Sequence, residues 1–390
     1  MTTLHGDWNF PTSIRFGAGR LAELPQACVE LGMRRPLLVT DPGLARLDIV
    51  AQARAFLREA GLGDALFSDV EGNPVDTNLQ AGLAAFRSGD HDGVVAMGGG
   101  SSLDVGKAIA LMDGQTLPWW EFEDIGDNYT KANAAGIRPI VAVPTTSGTG
   151  SEVGRCSVII HSEQGRKVVV FHPRMMPSKV VADPALTVGL PAKLTAAVGM
   201  DALSHNLEAF LALSYHPMAD GIALEAIRLI HDWLEVAVRE PTNIEARSAM
   251  MVASTAGATS FQKGLGAMHA LSHPVSVKYG THHGLTNGVV MPFVLEHNRS
   301  VIETRIEVLA RHMGLADPTF EAFLGWVVTL RSNIGIPHSL ADLGVSEADI
   351  PELSPQAASD YTASGNPLPV DATSLAELYD RTIRGELRFA

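Results

Sequence analysis

Two short stretches of the sequence carry histidines and an aspartate at the spacing of successive helical turns. The candidates in these stretches are Asp201, His205, His269, His273, His282 and His283. Asp201 and His205 are four residues apart and would lie on one face of a helix, and the second stretch repeats that spacing. Imidazoles and a carboxylate on apolar helices need partners, and a divalent cation can satisfy several at once. The pattern predicts a metal site, although any one histidine alone could be a surface or hydrogen-bonded core residue.

A glycine turn in the first half of the chain is the next feature that could bind a ligand. Residues 93–97 predict a buried strand that runs directly into Gly98, Gly99 and Gly100 and then into a helix. At such a turn, free backbone N–H groups and the helix dipole can bind a phosphate group. The pattern matches neither the GxGxxG nor the Walker motif, so a tight turn without a ligand remains an alternative.

A second polar loop, residues 144–153, follows the predicted strand 139–143. Its hydroxyl groups and glycines suit contacts with a phosphate or a sugar. The same composition is also typical of a capped connection that binds nothing.

The elements that would position these residues fall into two groups. Up to about residue 190, short β-rich runs alternate with helical patterns, including a predicted helix over 44–60 and a hairpin over 156–171, which is typical of βαβ units. Beyond it, helical periodicity runs over 191–212, 218–238, 242–262, 284–298, 300–314, 317–333 and 372–384. We therefore predict an α/β domain with a Rossmann-like, mostly parallel sheet over 1–190, and an all-α domain over 191–390 that bears the metal residues.

Composition narrows the class of protein. The formal charge of −14 argues against nucleic acid or an anionic membrane as a partner. The two cysteines, Cys28 and Cys156, form no paired motif, which favours a reducing compartment and excludes a thiolate zinc site. Residues 1–7 lack the pattern of a leader, and no apolar run approaches the roughly 18 residues that span a bilayer. We expect a cytoplasmic protein.

Several motifs in order make the sequence resemble the iron-containing (group III) alcohol dehydrogenases over nearly its whole length. They are Phe16-Gly-Ala-Gly19, Asn73-Pro74, the Gly-Gly-Gly-Ser turn with Asp104 and Lys107, the loop from Pro144 to Glu152, Asp183-Pro-Ala, Gly-Met-Asp-Ala-Leu-Ser-His, and Gly-Ala-Met-His with the later His-Pro and His-His-Gly. The resemblance implies the dehydroquinate synthase-like architecture of that family. It also implies an NAD-dependent oxidoreductase acting on a small primary alcohol or hydroxy acid and the matching aldehyde.

The resemblance also implies residue roles. The metal, Fe²⁺ with Zn²⁺ as a possibility, would be bound by Asp201, His205, His269 and His283, and His273 would be the catalytic residue beside the substrate. The NAD contacts would be Asp41, Asn73, Gly99, Gly100, Ser101, Asp104, Thr145, Thr146, Thr149 and Lys167. The partners expected from it are a small alcohol or aldehyde and a second copy of the chain, as a homodimer or higher oligomer.

Other functions are compatible with parts of the pattern. A dehydroquinate synthase-like or glycerol dehydrogenase-like enzyme would share the architecture, although the Asp and three His ligands speak against the synthase. A non-catalytic metal or nucleotide sensor would need one of the two sites but not both. Formation of NADH in proportion to alcohol separates these functions.

Two finer hypotheses concern single charged residues. Lys278 would face the pocket and favour an acidic substrate, unless it is a solvated surface lysine. Asp41 at the end of a predicted strand would bind the adenosine ribose and repel a 2′-phosphate, which predicts NAD over NADP. The alternative for Asp41 is a cap on the helix that follows.

Overall fold

The structure, a computed structural model, describes residues 10–388 of the chain. The predicted absence of a leader concerns residues 1–7, which lie outside this range. One compact unit comprises residues 10–146 and 150–189, and the rest of the described chain forms a second unit. The three residues 147–149 of the polar loop therefore belong with the helices that follow residue 190.

The first unit is built on a parallel sheet. Its strands are β1 (Ser13–Phe16), β2 (Pro36–Val39), β3 (Ala65–Phe67), β4 (Gly93–Gly98), β5 (Ile140–Pro144), β6 (Cys156–His161), β7 (Arg166–Phe171) and β8 (Lys179–Ala182). Six strands pair in the order β1-β8-β5-β4-β2-β3, and each neighbouring pair is parallel. Every residue of β2, β4 and β5 is buried, as expected for central strands covered on both faces. The predicted Rossmann-like sheet is confirmed, and β6 and β7 form the predicted hairpin.

The direction of the crossovers identifies the edge of the sheet where a ligand would bind. The helices of this unit are α1 (Leu24–Glu30), α2 (Asp48–Glu59), α3 (Asp76–Ser88) and α4 (Gly100–Met112). The chain leaves β2 towards β3 on one side but leaves β4 towards β5 on the other, so the strand order reverses between β2 and β4. Open parallel sheets bind ligands at the carboxyl ends of the strands beside such a reversal. Asp41 follows β2 there, and the glycine turn follows β4.

The helix predicted over 44–60 begins later than expected. Residues Leu44–Arg46 form a separate 3₁₀ turn, Leu47 is extended, and α2 starts at Asp48. Oδ1 of Asp41 accepts hydrogen bonds from the backbone N–H groups of residues 43 and 44, each at 2.9 Å. These bonds stabilise the turn as a unit of its own, which the helical periodicity alone did not reveal.

The second unit is helical and is organised around one buried helix. Its helices are α5 (Ala192–Leu211), α6 (Pro217–Arg239), α7 (Ile244–Ser260), α8 (Ala267–Tyr279), α9 (His283–His312), α10 (Phe320–Asn333), α11 (Ile350–Ser359) and α12 (Ala372–Arg384). Helices α6, α7 and α9 pack around α5, which is buried without a break from Thr195 to Leu211. Polar side chains on α5 therefore lie in the core, where each needs a partner. None of the helices in the described part of the chain combines the length and hydropathy that a bilayer-spanning segment requires.

Two features of this unit differ from the sequence-based expectation. The segments expected at 284–298 and 300–314 are one helix, α9, because polar residues at the expected break find lateral partners. Asn298 bonds to Asn366, and Arg299 pairs with Glu303 and Glu321, so the backbone continues without interruption. Helix α11 was not predicted, because prolines at 351 and 355 suggested a loop.

Candidate metal centre and cofactor-binding turn

Three of the four predicted ligands lie together in the core of the helical unit. Asp201 and His205 stand one turn apart on α5, and His269 lies in the first turn of α8. One ligand atom from each lies within 4.8 Å of the others, and their exposed fractions are only 4%, 4% and 2%. The rings of His205 and His269 stack with centroids 4.8 Å apart. A carboxylate and two imidazoles so arranged could hold one divalent cation.

The fourth predicted ligand, His283, is the first residue of α9. Its Nε2 lies 3.7 Å from Oδ1 of Asp201. The next residue, Gly284, permits this approach, because an added Cβ would lie 2.7 Å from the Cβ of Asp201. The neighbouring His282 instead caps α9 by accepting the backbone N–H of Leu285, which gives it a structural function.

Asn287 shows that the donor atoms converge. Its amide nitrogen lies 3.0 Å from Oδ1 of Asp201, 3.1 Å from Nε2 of His283 and 3.4 Å from Nε2 of His269. The amide oxygen of Asn287 is buried and makes no hydrogen bond within the described chain. Convergent N and O donors, together with this unsatisfied buried oxygen, fit a cation at this centre.

Electrostatics set the protonation of the histidines. Burial lowers the pKa of His205 to about 4, although the nearby Asp201 carboxylate opposes the shift, so His205 is neutral as a metal ligand must be. Burial also favours the neutral form of His269, but the Glu208 carboxylate overcomes this effect and raises the pKa of His269.

Glu208 is a site residue that the sequence reasoning missed. Its Oε2 lies 2.6 Å from Nδ1 of His269, and its Oε1 accepts the backbone N–H of Met268 at 2.6 Å. The carboxylate therefore fixes the ring so that Nε2 faces the other donors, an arrangement common at metal-binding histidines. A signal was present, because Glu208 follows Asp201 and His205 at positions i+7 and i+3 on the same buried face of α5.

His273, the predicted catalytic residue, lies one turn further along α8. Its ring stacks on His283 with centroids 5.1 Å apart and on Tyr361 at 6.0 Å. Nδ1 of His273 lies 2.8 Å from Oδ2 of Asp360, a residue just beyond the end of α11. No local pattern pointed to Asp360, because its partner is 87 residues away in the sequence.

Lys278 does not have the environment that the acidic-substrate hypothesis requires. Its ammonium group pairs with Asp349 at 2.8 Å and with Glu352, and these hydrogen bonds raise its pKa above the ordinary value. The positive charge is therefore already compensated within the fold, at the start of α11. This arrangement speaks against an open lysine that binds an acidic substrate.

In the sheet unit, the glycine turn has the geometry that its sequence predicts. Gly98 ends β4 with φ of +151°, and a Cβ there would lie 2.6 Å from Oγ of Ser102. Gly99 precedes the first turn of α4, and a Cβ on it would lie 3.3 Å from Oγ1 of Thr146. Only glycine fits at position 98, and the N-terminal N–H groups of α4 stand at the carboxyl edge of the sheet, where an anion can bind.

The other predicted cofactor residues of this unit differ in what they can still contact. Both oxygens of Asp104 are engaged, Oδ1 by Ser151 at 2.5 Å and Lys107 at 3.1 Å, and Oδ2 by the backbone N–H of Val158 at 2.9 Å. Asp104 is therefore a core residue that ties α4 to the polar loop and to β6. Ser101 donates to the carbonyl of Gly72 at 2.8 Å.

The remaining predicted contacts are spread over the two units. At the carboxyl edge, Asp41 is partly exposed and uses one oxygen as a turn cap, while Oγ1 of Thr145 is buried and unpartnered within the described chain. Asn73 lies in the loop before α3, and Lys167 lies on β7. Thr149 belongs to the helical unit.

Known proteins resemble this chain over nearly its whole length. The family model for iron-containing alcohol dehydrogenase matches residues 11–184, and the model for the C-terminal part of that family matches residues 195–383. The 4-hydroxybutyrate dehydrogenase of Cupriavidus necator is 38% identical, over 95% of this chain and 98% of that protein. The NAD-dependent methanol dehydrogenase of Bacillus methanolicus is 34% identical, over 94% of this chain and 97% of that protein.

Solved structures agree with these sequence matches. The crystal structure of a 1,3-propanediol oxidoreductase superposes with a TM-score of 0.92 at 36% identity, covering 97% of this chain and 100% of that chain. The predicted architecture, an α/β sheet domain followed by a helical one, is therefore confirmed, as is the predicted enzyme class, an NAD-dependent alcohol dehydrogenase. The chain belongs to the iron-containing alcohol dehydrogenase family.

Proposed function

We propose that this enzyme interconverts a small primary alcohol and its aldehyde with NAD, at a divalent cation bound by Asp201, His205, His269 and His283. The observation that carries this proposal is the buried convergence of one ligand atom each from the first three residues within 4.8 Å. A structural core would not be expected to bury this many ionisable groups face to face without a cation to hold them.

We infer that the resident metal is Fe²⁺. The four proposed ligands are nitrogen and oxygen donors without thiolate, and four protein ligands would saturate a tetrahedral ion. An ion that accepts five or six ligands leaves room for the alcohol oxygen. Zinc should bind as well or better but support less turnover.

His273 is the residue we assign to proton transfer. A bound cation would lower the pKa of the alcohol hydroxyl and NAD⁺ would accept a hydride. In the oxidative direction, the carbinol C–H bond breaks and its hydrogen leaves with the electron pair as the hydride. The C–O bond becomes a carbonyl, and the hydroxyl proton passes to Nε2 of His273. The position of the His273 ring beside the His283 ring supports this assignment.

For the cofactor we retain the predicted contacts except that of Asp104. Gly99, Gly100 and Ser101 would bind the pyrophosphate, as the start of α4 after a glycine turn favours. Asp41, Asn73, Thr145, Thr146, Thr149 and Lys167 would contact the rest of NAD. Because both oxygens of Asp104 are engaged, we assign it to holding the turn rather than to touching NAD.

The names of the relatives support a proposal for the substrate class. Their names describe dehydrogenases of 4-hydroxybutyrate, of methanol and of 1,3-propanediol, which share a terminal hydroxyl on a short chain. We infer a short primary alcohol with or without a second polar group. Because Lys278 is paired, it does not supply a preference for acids.

Three further predictions remain proposals. We place the protein in the cytoplasm, which agrees with two free cysteines among the described residues. We expect a homodimer or a higher homo-oligomer. We also keep the division into a cofactor domain over 1–190 and a catalytic domain over 191–390.

The decisive experiment reconstitutes metal-free enzyme with Fe²⁺ or Zn²⁺ and measures NADH formation with methanol, 1,3-propanediol and 4-hydroxybutyrate. We expect Fe²⁺ to give the higher kcat with at least one of these alcohols. Higher kcat with zinc would overturn the metal assignment. Equal turnover without any metal would overturn the proposed mechanism.

A further inference from the structure

Helix α8 carries two histidine–carboxylate pairs of the same geometry, and only one belongs to the proposed metal centre. His269 presents Nδ1 to Glu208 at 2.6 Å, and one turn later His273 presents Nδ1 to Asp360 at 2.8 Å. The first carboxylate comes from α5 inside the core. The second comes from the segment after α11, so a different part of the chain controls each ring.

The Asp360 carboxylate is held in one orientation. Oδ1 accepts both the backbone N–H of Thr362 at 2.9 Å and its hydroxyl at 2.6 Å, which leaves Oδ2 for His273. Burial disfavours its charge, but the His273 ring and the Thr362 hydrogen bonds hold the pKa of Asp360 below its ordinary value. Asp360 is therefore an ionised, acceptor-only group at neutral pH.

Helix α11 is attached to α8 at both of its ends, which fixes where Asp360 lies. At its start, Asp349 and Glu352 pair with Lys278 of α8, and the phenol of Tyr279 also donates to Asp349. At its end, Asp360 meets His273. Lys278 thus has a use that the sequence hypothesis did not foresee, since it aligns α11 along α8.

We propose that Asp360 is a positioning residue for the reaction, which holds His273 with the proton on Nδ1 so that Nε2 accepts the hydroxyl proton of the alcohol. This inference rests on the proposed function, because it assigns the reason why His273 can act as a base. An acceptor-only partner at Nδ1 selects that tautomer, since only an Nδ1–H can donate to it. The tautomer matters because proton transfer by a positioned base contributes about 10²- to 10⁴-fold to a rate.

The hydrogen bonds of Asp360 allow a substitution that reverses the tautomer. In Asp360→Asn, the two donors of Thr362 retain the amide oxygen, so the NH₂ group faces His273 and donates to Nδ1. The proton of the ring then resides on Nε2, the wrong nitrogen. Asp360→Ala removes the partner without imposing either tautomer.

This reasoning predicts an unusual order of effects. We expect kcat to fall about 100-fold in Asp360→Asn but only about 10-fold in Asp360→Ala, with KM changed less than kcat in both. A residue that only supports the fold would give the opposite order, because Asn preserves shape and Ala leaves a gap. The melting temperature should instead depend on shape, so that of Asp360→Asn should be closer to the wild-type value than that of Asp360→Ala.

The test measures kcat, KM, metal content and melting temperature for both variants, with Asp232→Asn as the control, because Asp232 is the carboxylate partner of Nδ1 of His231 on the surface of α6. The control should keep kcat within about twofold. Zinc-loaded protein labelled with ¹⁵N-histidine should show His273 changing from an Nδ1–H to an Nε2–H tautomer in Asp360→Asn. The proposal would be overturned if kcat fell more in Asp360→Ala than in Asp360→Asn, or if the tautomer of His273 were the same in Asp360→Asn as in the wild type.

His273→Gln, measured alongside, separates this inference from the proposed function. If His273→Gln retains wild-type kcat, the assigned base is wrong and the proposed proton transfer fails. If His273→Gln loses turnover while Asp360→Asn keeps it, the base stands and the positioning function of Asp360 fails. Both variants should retain the metal, because neither residue is among its proposed ligands.

Discussion

The candidate metal centre of the helical unit is built from side chains, whereas the glycine turn of the sheet unit is built from backbone. The centre consists of side chains from α5, α8 and α9 that converge on one point around the amide of Asn287. The turn consists of backbone, and its defining property is the absence of side chains at Gly98 and Gly99. One site depends on which groups are present and the other on which are missing.

This difference determines how each site can fail. A ligand of the centre can be lost while the fold survives, because the surrounding apolar core of α5 and its neighbours holds the helices in place. At the turn, any added atom meets the protein itself, so binding and stability change together. The two sites should therefore be separable by measuring metal content, cofactor affinity and melting temperature in the same variants.

The largest effect is expected from removing a ligand of the centre. His269→Ala and Asp201→Ala should each lose the metal, and the loss of affinity should exceed the roughly 10- to 100-fold typical of residues that only support ligands. Activity should disappear with the metal, while the dissociation constant for NAD stays near the wild-type value. Metal analysis and NADH fluorescence titration measure the two quantities.

His231→Ala is the matched control, because that histidine pairs with Asp232 on the surface of α6. It should leave both quantities unchanged. Retention of a full metal complement by His269→Ala would contradict the ligand assignment.

A smaller effect is expected from Glu208→Gln. A neutral amide would replace the carboxylate as the partner of Nδ1–H of His269. The ring would then be held less firmly and would be less basic. Metal affinity should fall about 10- to 100-fold, and excess metal should restore most of the activity. A competition titration with a chelator gives the affinity, and an unchanged value would show that Glu208 serves the fold alone.

For the turn, Gly98→Ala should act on stability and cofactor binding but not on metal content. The positive φ and the contact with Ser102 together should cost about 1–3 kcal/mol of unfolding free energy. The KM for NAD should rise, since the start of α4 must shift. Gly189→Ala, where a Cβ would meet open space, is the control for the loss of a glycine. Metal loss in Gly98→Ala would mean that the two sites are not separable.

The smallest effect concerns the charge beside the turn. Asp41→Asn keeps the oxygen that accepts from Gly43 and Leu44 but removes the negative charge. If the charge repels a 2′-phosphate, the ratio of kcat/KM for NAD over NADP should fall about tenfold, or 1.4 kcal/mol, at an unchanged melting temperature. If Asp41 is only a cap, the ratio should remain constant. Wild-type enzyme that uses both cofactors equally would remove the hypothesis altogether.

Much of the fold was predictable because its patterns are local. The strands β4 and β5 and the helix α12 occur where apolar runs and helical periodicity indicate them. The break between Leu44 and Asp48 was not predicted, because one side-chain cap outweighed the periodicity. Helix α11 was missed because its two prolines suggested a loop. Pro351 lies in the first turn, where proline is tolerated, whereas Pro355 lies inside the helix, which packs on α8.

The features of the candidate site likewise separate into those set by local spacing and those set by helix packing. The sequence by itself determined that an aspartate and several histidines share helix faces, and that a glycine turn follows a strand, since both depend on spacings of a few residues. Only the tertiary structure decided that His283 meets Asp201, that Glu208 orients His269 and that Asp360 engages His273. These contacts join residues that are 61 to 87 positions apart in the sequence. They therefore depend on how the helices pack against one another. No local spacing encodes that packing, which is why the supporting carboxylates were found last.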